Sequence, residues 1–108
     1  MEKNFQAIWK KKLNEISPDF FNLLKGTFYD IYSDKTLSLK IKEIVVISSL
    51  ITQKDTKNQL KGHFAAALKA GVTKSEILSK IKHLVIYVGF PSTLNALSVF
   101  KEVCEEQE

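Results

Sequence analysis

The sequence contains no arginine, and all sixteen of its basic residues are lysines. Proteins that read nucleic acids rely on arginine for forked contacts to bases and phosphates, so this absence argues against a nucleic-acid partner. The formal net charge of +4 could mark an anion-attracting surface. A solvated, lysine-rich exterior explains the same charge more simply, and we favour that interpretation.

Cysteine and histidine are almost as scarce. The one cysteine, Cys104, has no second thiol in the chain for a disulfide or a CxxC pair. The two histidines, His63 and His83, do not form HExxH or a similar ligand spacing. We therefore expect no structural or catalytic metal.

Long apolar runs are also missing. The longest, residues 44–51, is interrupted by two serines, whereas a membrane-spanning helix needs about 20 apolar residues. The start of the chain lacks the apolar core of a signal peptide, so we expect a cytoplasmic protein with no membrane partner. A length of 108 residues predicts one domain over residues 1–108. So short a chain buries a modest share of its surface, and subunit association would help it.

Apolar residues recur at spacings of three and four through most of the chain, which predicts an all-α domain of about six helices. The β-branched run at residues 44–51 could favour a strand. No second strand is evident to pair with it, so a helix is expected. The predicted helices comprise a first one carrying Phe5, Ile8, Trp9 and Leu13, then Pro18 to about Tyr32, Leu39 to about Thr52, a fourth that begins after Asp55 or Thr56 and ends near Gly71, Lys74–Val88, and Ser92 to about Glu105.

Several short signals fix the helix ends. Ser17 and Ser38 are expected to cap the second and third helices. Gly71 occupies the position of a left-handed cap, and Thr73 with Glu76 forms a capping box. The Gly89-Phe90-Pro91 segment is expected to break the chain before the last helix, because proline disfavours helical geometry in the residue before it.

Glu43 and His63 are candidates for chemistry. At about 1.5 Å per residue, Glu43 lies roughly 15 Å before the hinge near Gln53 and His63 roughly 12 Å after it. In an antiparallel hairpin the two side chains would be nearly level, and a carboxylate can orient a histidine and hold its proton. A simple salt bridge between helices is the alternative.

An ordered set of residues resembles the carboxymuconolactone decarboxylase family, of the alkylhydroperoxidase D-like superfamily. It comprises Gln59-Leu60-Lys61-Gly62-His63, Ala67-Leu68, Gly71-Val72-Thr73, Glu76-Ile77, His83-Leu84 and Tyr87-Val88-Gly89-Phe90-Pro91. The resemblance is dense from about Leu39 to Val103. It implies an all-helical homo-oligomer, a trimer or hexamer, acting on a small molecule.

The resemblance, together with residue chemistry, implies a decarboxylation that needs neither metal nor cofactor. The substrate would be a small carboxylated lactone or carbonyl compound. His63 would donate a proton to carbon, Glu43 would orient it, and Tyr87 or His83 would stabilise the developing oxyanion.

The residues expected to bind an anion match the family pattern less well. Lys42 stands where the family usually has arginine, so it offers a point charge in place of a forked clamp for a substrate carboxylate. Asn95 lies near the start of the last helix, whose first amides could receive an anion. Packing and hydrogen bonding are the alternative roles for His83 and Tyr87, which share a helix face.

The redox branch of the superfamily carries Cys-x-x-Cys-x-x-x-His, with His63 in the histidine place. Thr56 and Gln59 occupy the two cysteine places, so an alkylhydroperoxidase mechanism cannot run as written. Such an antioxidant enzyme is a third, less favoured function, and it would need Cys104 of a neighbouring subunit near His63. A non-catalytic oligomer that binds a small ligand or a protein is the main alternative to a decarboxylase. The two are distinguished by whether Glu43, His63 and Tyr87 meet in one enclosed pocket.

Overall fold

The structure is a computed structural model that describes residues 10–107. It confirms the all-α prediction, with six helices and no strand among those residues. The helices are α1 (described over 10–16), α2 (Pro18–Tyr32), α3 (Leu39–Thr52), α4 (Lys57–Lys69), α5 (Lys74–Val88) and α6 (Phe90–Gln107). The predicted apolar residues Phe5, Ile8 and Trp9 of the first helix lie outside the described residues.

The predicted caps are in place. Ser17 and Ser38 each accept a hydrogen bond from the backbone N–H three residues later, at 3.2 Å. Thr73 accepts from the Glu76 N–H at 3.1 Å, while the Glu76 carboxylate accepts from the Thr73 N–H at 2.9 Å. Each bond satisfies an N–H that the first turn of a helix otherwise leaves free.

Two glycines with positive φ separate the last three helices. Gly71 (φ +101°) follows α4 and Gly89 (φ +87°) follows α5. The predicted start of the last helix at Ser92 is wrong, because α6 already begins at Phe90. The break needs only Gly89, and Pro91 falls in the first turn of α6, where a missing N–H costs no helical hydrogen bond.

The core is formed by α3, α4, α5 and α6. It is centred on aromatic and β-branched side chains, with Phe64 and Phe100 packed at a ring-centroid distance of 5.0 Å. In contrast, α2 contains no buried residue. The buried apolar residues are Ile47, Ile51, Leu60, Phe64, Ala65, Ala67, Val72, Ile77, Ile81, Ala96, Val99, Phe100 and Val103.

The hinge between α3 and α4 turns the chain into a helical hairpin. Thr56 occupies the N-cap position of α4, but its hydroxyl donates to the Leu50 carbonyl oxygen at 2.7 Å rather than capping α4. Asp55 adopts a positive φ of 59°, which aspartate tolerates better than most residues. The tight hinge sets the two helices side by side, so residues ten before it and ten after it come level.

Across residues 10–107, none of the helices has the length and apolar character needed to cross a lipid bilayer.

Candidate active site

Glu43 and His63 meet across the α3–α4 hairpin. The Nδ1 atom of His63 lies 2.9 Å from Oε1 of Glu43, within hydrogen-bonding distance. Glu43 faces the core with 5% of its surface exposed, on the same side of α3 as Ile47 and Ile51. Helix rise and hinge position predict that the two residues lie nearly level, and the structure shows that their side chains also face each other.

The geometry of this pair leaves one ring nitrogen for chemistry. An ionised carboxylate can only accept, so Nδ1 of His63 donates to Glu43. That bond fixes the ring orientation and places the second exchangeable proton, when His63 is protonated, on Nε2. Nε2 makes no hydrogen bond to another residue between 10 and 107, and the His63 side chain retains 20% exposure. The imidazole is thus held on its Nδ1 side by Glu43 and remains partly exposed.

The amine of Lys42, the predicted anion binder, is hydrogen-bonded to backbone carbonyl oxygens of the protein. Its Nζ donates to the Tyr32 carbonyl oxygen at 3.3 Å and also to the Asp34 carbonyl oxygen. The same amine lies 5.4 Å from the centre of the Tyr32 ring. Lys42 therefore ties the C-terminal end of α2 to α3, and at most one of its three N–H groups is left for a ligand.

Tyr32 is a member of this neighbourhood that the sequence did not reveal. Partial burial, and after it the negative charge of Glu43, raises the pKa of the Tyr32 phenol above its ordinary value. The negative charge of the Glu43 carboxylate disfavours the charged form of the Tyr32 phenol, so the two groups interact electrostatically. Because Tyr32 ends α2 and Glu43 lies in α3, only the path of the intervening turn brings them together, and no helical periodicity signals it.

His83 and Tyr87 do share a face of α5, as their spacing predicts. Their rings lie 5.6 Å apart between centroids at an angle of 49°. Both side chains are exposed, Tyr87 at 71%. Within one chain, Tyr87 therefore does not close an enclosed pocket with Glu43 and His63.

The backbone break beside Tyr87 leaves the Gly89 carbonyl oxygen hydrogen-bonded. The Gly89 carbonyl oxygen accepts from the backbone N–H of Thr93 at 3.3 Å and from its hydroxyl at 3.0 Å. Thr93 is 2% exposed and hydrogen-bonded. The break is thus closed by α6 itself.

Asn95 lies apart from the Glu43–His63 pair. It lines an open cleft of about 490 Å³ formed by the hinge, the start of α4 and one side of α6. Thr56, Lys57 and Glu102 line the same cleft, whereas neither Glu43 nor His63 does. Asn95 and the acid–base pair therefore occupy separate places in the single chain.

The two positions at which the resemblance would place redox cysteines have ordinary structural surroundings. The Thr56 hydroxyl donates to the Leu50 carbonyl oxygen, and Gln59 is exposed on α4. Cys104 is partly buried against the core on α6. No group of three or more His, Cys, Asp or Glu side chains in residues 10–107 is placed to hold a metal ion.

Two comparisons with known proteins bear on the family of this chain. The chain is 27% identical over 97 residues to a 4-carboxymuconolactone decarboxylase of Acinetobacter baylyi (strain ATCC 33305 / BD413 / ADP1), covering 89% of this chain and 72% of that protein. The family model named "Carboxymuconolactone decarboxylase family" matches residues 18–102, which include α2 to α5, most of α6 and both members of the Glu43–His63 pair. This chain is thus a member of the carboxymuconolactone decarboxylase family.

Proposed function

We propose that this protein catalyses a cofactor-free decarboxylation, or closely related acid–base chemistry, on a small carboxylated lactone or carbonyl compound. The observation that carries the proposal is the 2.9 Å contact between Glu43 and His63. A buried carboxylate that orients a partly exposed histidine suits general acid–base catalysis, in which a positioned side chain transfers a proton. Family membership and the decarboxylase relative supply the reaction class.

The chemistry divides into two steps. The bond between the substrate's ring carbon and its carboxylate breaks, carbon dioxide leaves, and the electron pair remains as an enolate of the adjacent carbonyl. Protonated His63 then gives the Nε2 proton to that carbon, and Glu43 stabilises the imidazolium before transfer. Solvent returns the proton to His63, so one proton is consumed for each carbon dioxide released.

Stabilisation of the enolate oxygen needs a donor near the reacting carbonyl. Within the single chain, the Tyr32 phenol lies in the field of Glu43, whereas Tyr87 faces solvent. Tyr32 is therefore the better candidate for this role inside one subunit. Tyr87 and His83 would join the site only from another copy of the chain.

Assembly of several copies is part of the proposal. The α2 helix has no buried residue and presents an apolar surface that a single chain leaves in water. A continuous exposed apolar surface typically marks a protein–protein contact. Its large exposed side chains are Phe20, Leu23, Phe28, Tyr29 and Ile31. A homotrimer or hexamer would cover them.

A non-catalytic oligomer is the second candidate. It is favoured by Lys42, whose amine is engaged by backbone carbonyls, and by the exposure of Tyr87. A chain that kept the helices but lost substrate binding would look like this. Its Glu43–His63 contact would then be only a structural ion pair.

Release of carbon dioxide from γ-carboxymuconolactone by the purified protein is the experiment that separates these candidates. We expect turnover in the parent protein, and a decrease of about 10²- to 10⁴-fold in kcat for His63→Ala, the usual size of an acid–base contribution. Glu43→Gln keeps the size of the side chain but removes its charge, and should lower kcat less than His63→Ala does.

A matched control is Glu105→Gln, which removes an exposed carboxylate on the surface of α6 that pairs with Lys101 at 3.9 Å. It should leave turnover unchanged. Undiminished turnover in His63→Ala would remove the acid–base pair from the mechanism. Absence of turnover with this lactone and with related β-keto acids would favour the non-catalytic oligomer.

A further inference from the structure

Lys80 occupies an unusual position for a lysine. It lies on α5 between Ile77 and Ile81, both fully or almost fully buried, and its own side chain is partly buried where α5 packs on α3. Most lysines place their amine in water even when the stem is covered. Lys80 instead directs its amine to the neighbouring helix.

The polar partner of that amine is neutral. Lys80 Nζ lies 3.2 Å from the hydroxyl oxygen of Ser48 on α3. Among residues 10–107, no carboxylate forms an ion pair with Lys80 within 4.0 Å. A partly buried ammonium without a counter-charge is unfavourable, because burial penalises the charged form.

The direction of the Ser48 hydroxyl bond matters for the chemistry. Ser48 donates its only hydroxyl proton to the Ile44 carbonyl oxygen at 2.8 Å. Its oxygen can then only accept from Lys80. In a neutral amine, one N–H is held by Ser48 while the nitrogen lone pair remains free to attack an electrophile.

The electrostatic environment of Lys80 also favours a neutral amine. Burial lowers the pKa of the Lys80 amine to about 8. An amine with that pKa is about 10% neutral at pH 7, compared with less than 0.1% for an ordinary lysine with a pKa of about 10.4. Desolvated lysines are the ones that proteins use as nucleophiles toward carbonyl compounds.

Two other functional groups lie on the same side of α5. His83 and Tyr87 follow Lys80 at three and seven residues, spacings that return to one helix face, and both are exposed. This face is distinct from the Glu43–His63 pair, because Ser48 lies five residues after Glu43 and about 140° further round α3.

We infer that Lys80, held by Ser48 at the α3–α5 contact, is a second reactive site that condenses with small aldehydes or α-keto acids. The lone pair of Nζ attacks the carbonyl carbon, and a C–N bond forms. The carbonyl oxygen takes up two protons, one from the amine and one from solvent or the imidazole of His83, and leaves as water. Loss of the second amine proton leaves a neutral imine, so only water is released.

Reductive trapping tests this site directly. The full-length protein is treated with glyoxylate and sodium cyanoborohydride at pH 7. Hydride from the borohydride converts the imine to a stable secondary amine, and peptide mass spectrometry then locates the adduct. We expect Lys80 to be labelled at least about tenfold faster than Lys82, an exposed lysine on the same helix, because a larger share of its amine is neutral.

Three controls make the result decisive. Lys80→Arg should lose the preferred adduct, since guanidinium does not deprotonate in proteins. The urea-unfolded chain should label Lys80 and Lys82 at similar rates, because the preference comes from the fold. Glu105→Gln should label like the parent, because it removes only an exposed carboxylate on the surface of α6. Labelling of Lys80 at or below the rate of Lys82 in the folded protein would overturn the inference.

Discussion

The amine of Lys42 joins two helices by contacting both the main chain and the ring of Tyr32. It lies 3.3 Å from the Tyr32 carbonyl oxygen and 5.4 Å from the ring centre. In this position Lys42 stabilises the C-terminal end of α2, where cations are favoured by the helix dipole.

Replacing Lys42 with methionine should therefore lower stability more than it affects substrate binding. Loss of the charged hydrogen bonds should reduce the free energy of unfolding by about 1–2 kcal/mol. In the lactone assay, KM should change less than twofold. Urea titration and steady-state kinetics provide the two measurements. A tenfold rise in KM at unchanged stability would instead restore Lys42 as the binder of a substrate carboxylate.

Tyr32 should titrate in response to a change at Glu43. The charge of Glu43 is the second cause, after burial, of the raised pKa of the Tyr32 phenol. In Glu43→Gln, the pKa of Tyr32 should therefore fall toward its ordinary value while remaining above it. NMR of ring-labelled tyrosine during a titration to high pH measures this, with the exposed Tyr29 and Tyr87 as references in the same sample. If the pKa of Tyr32 were the same in Glu43→Gln as in the parent, the phenol would not lie near the candidate site.

Two glycines should respond to alanine with opposite signs. Gly71 has a φ of +101°, which a residue with a Cβ rarely adopts, so Gly71→Ala should destabilise the protein by about 1 kcal/mol or more. Gly26 lies inside α2, and a Cβ added there has no neighbour within 4 Å. Gly26→Ala should stabilise by about 0.5–1 kcal/mol, because alanine loses less backbone freedom in a helix. Equal effects at both positions in thermal unfolding would contradict the assigned conformations.

The apolar surface of α2 should control assembly. Leu23 is 64% exposed in the single chain, and Leu23→Lys would place a charge in the proposed subunit contact. We expect the parent to sediment as a trimer or hexamer and Leu23→Lys to shift it toward a monomer. Asn22→Lys, at an exposed polar position of the same helix, is the control for added charge. A monomeric parent protein in sedimentation equilibrium would exclude the assembly.

Above neutral pH, the free energy of unfolding should depend on the titration of Lys80. Burial lowers its pKa in the folded chain from 10.5 to about 8. Between these two values the unfolded chain binds more protons, so this group makes the folded state more stable as the pH rises. Below about pH 8 both states are protonated, and the folded protein bears the full cost of the buried charge.

Lys80→Met removes that cost. The variant should be more stable than the parent at pH 7, and its advantage should shrink between pH 8 and 10.5. Denaturant titrations at several pH values measure this difference, and Lys82→Met, at an exposed position, should show no such trend. A constant difference between Lys80→Met and the parent across this range would mean that Lys80 titrates normally in the folded chain.

The sequence allowed prediction of features that depend on neighbours a few residues apart. The caps at Ser17, Ser38 and Thr73 are of this kind, since each cap uses an N–H three residues away. That Glu43 and His63 lie level was also predictable, because helix rise is constant and the hinge position was evident from residues 53–56, whereas their facing each other was only one possibility.

Features that depend on how separate helices pack were not predictable in this way. The α5 helix is apolar on more than one side, so its pattern did not reveal that Tyr87 faces solvent. The proximity of Tyr32 to Glu43 depends on the turn after α2. The start of α6 was placed two residues late because the preference of the residue before proline was given more weight than the tolerance for proline in a first helical turn.

The hinge at residues 53–56 also bears on the order in which the protein folds. Glu43 and His63 are only 20 residues apart, and closing so short a segment has a small entropic cost compared with contacts across the whole chain. The acid–base pair can therefore form as soon as α3 and α4 associate, before α5 and α6 cover the core. Because local contacts form quickly, folding can bring the two reactive side chains together early and leave the later helices to complete the core.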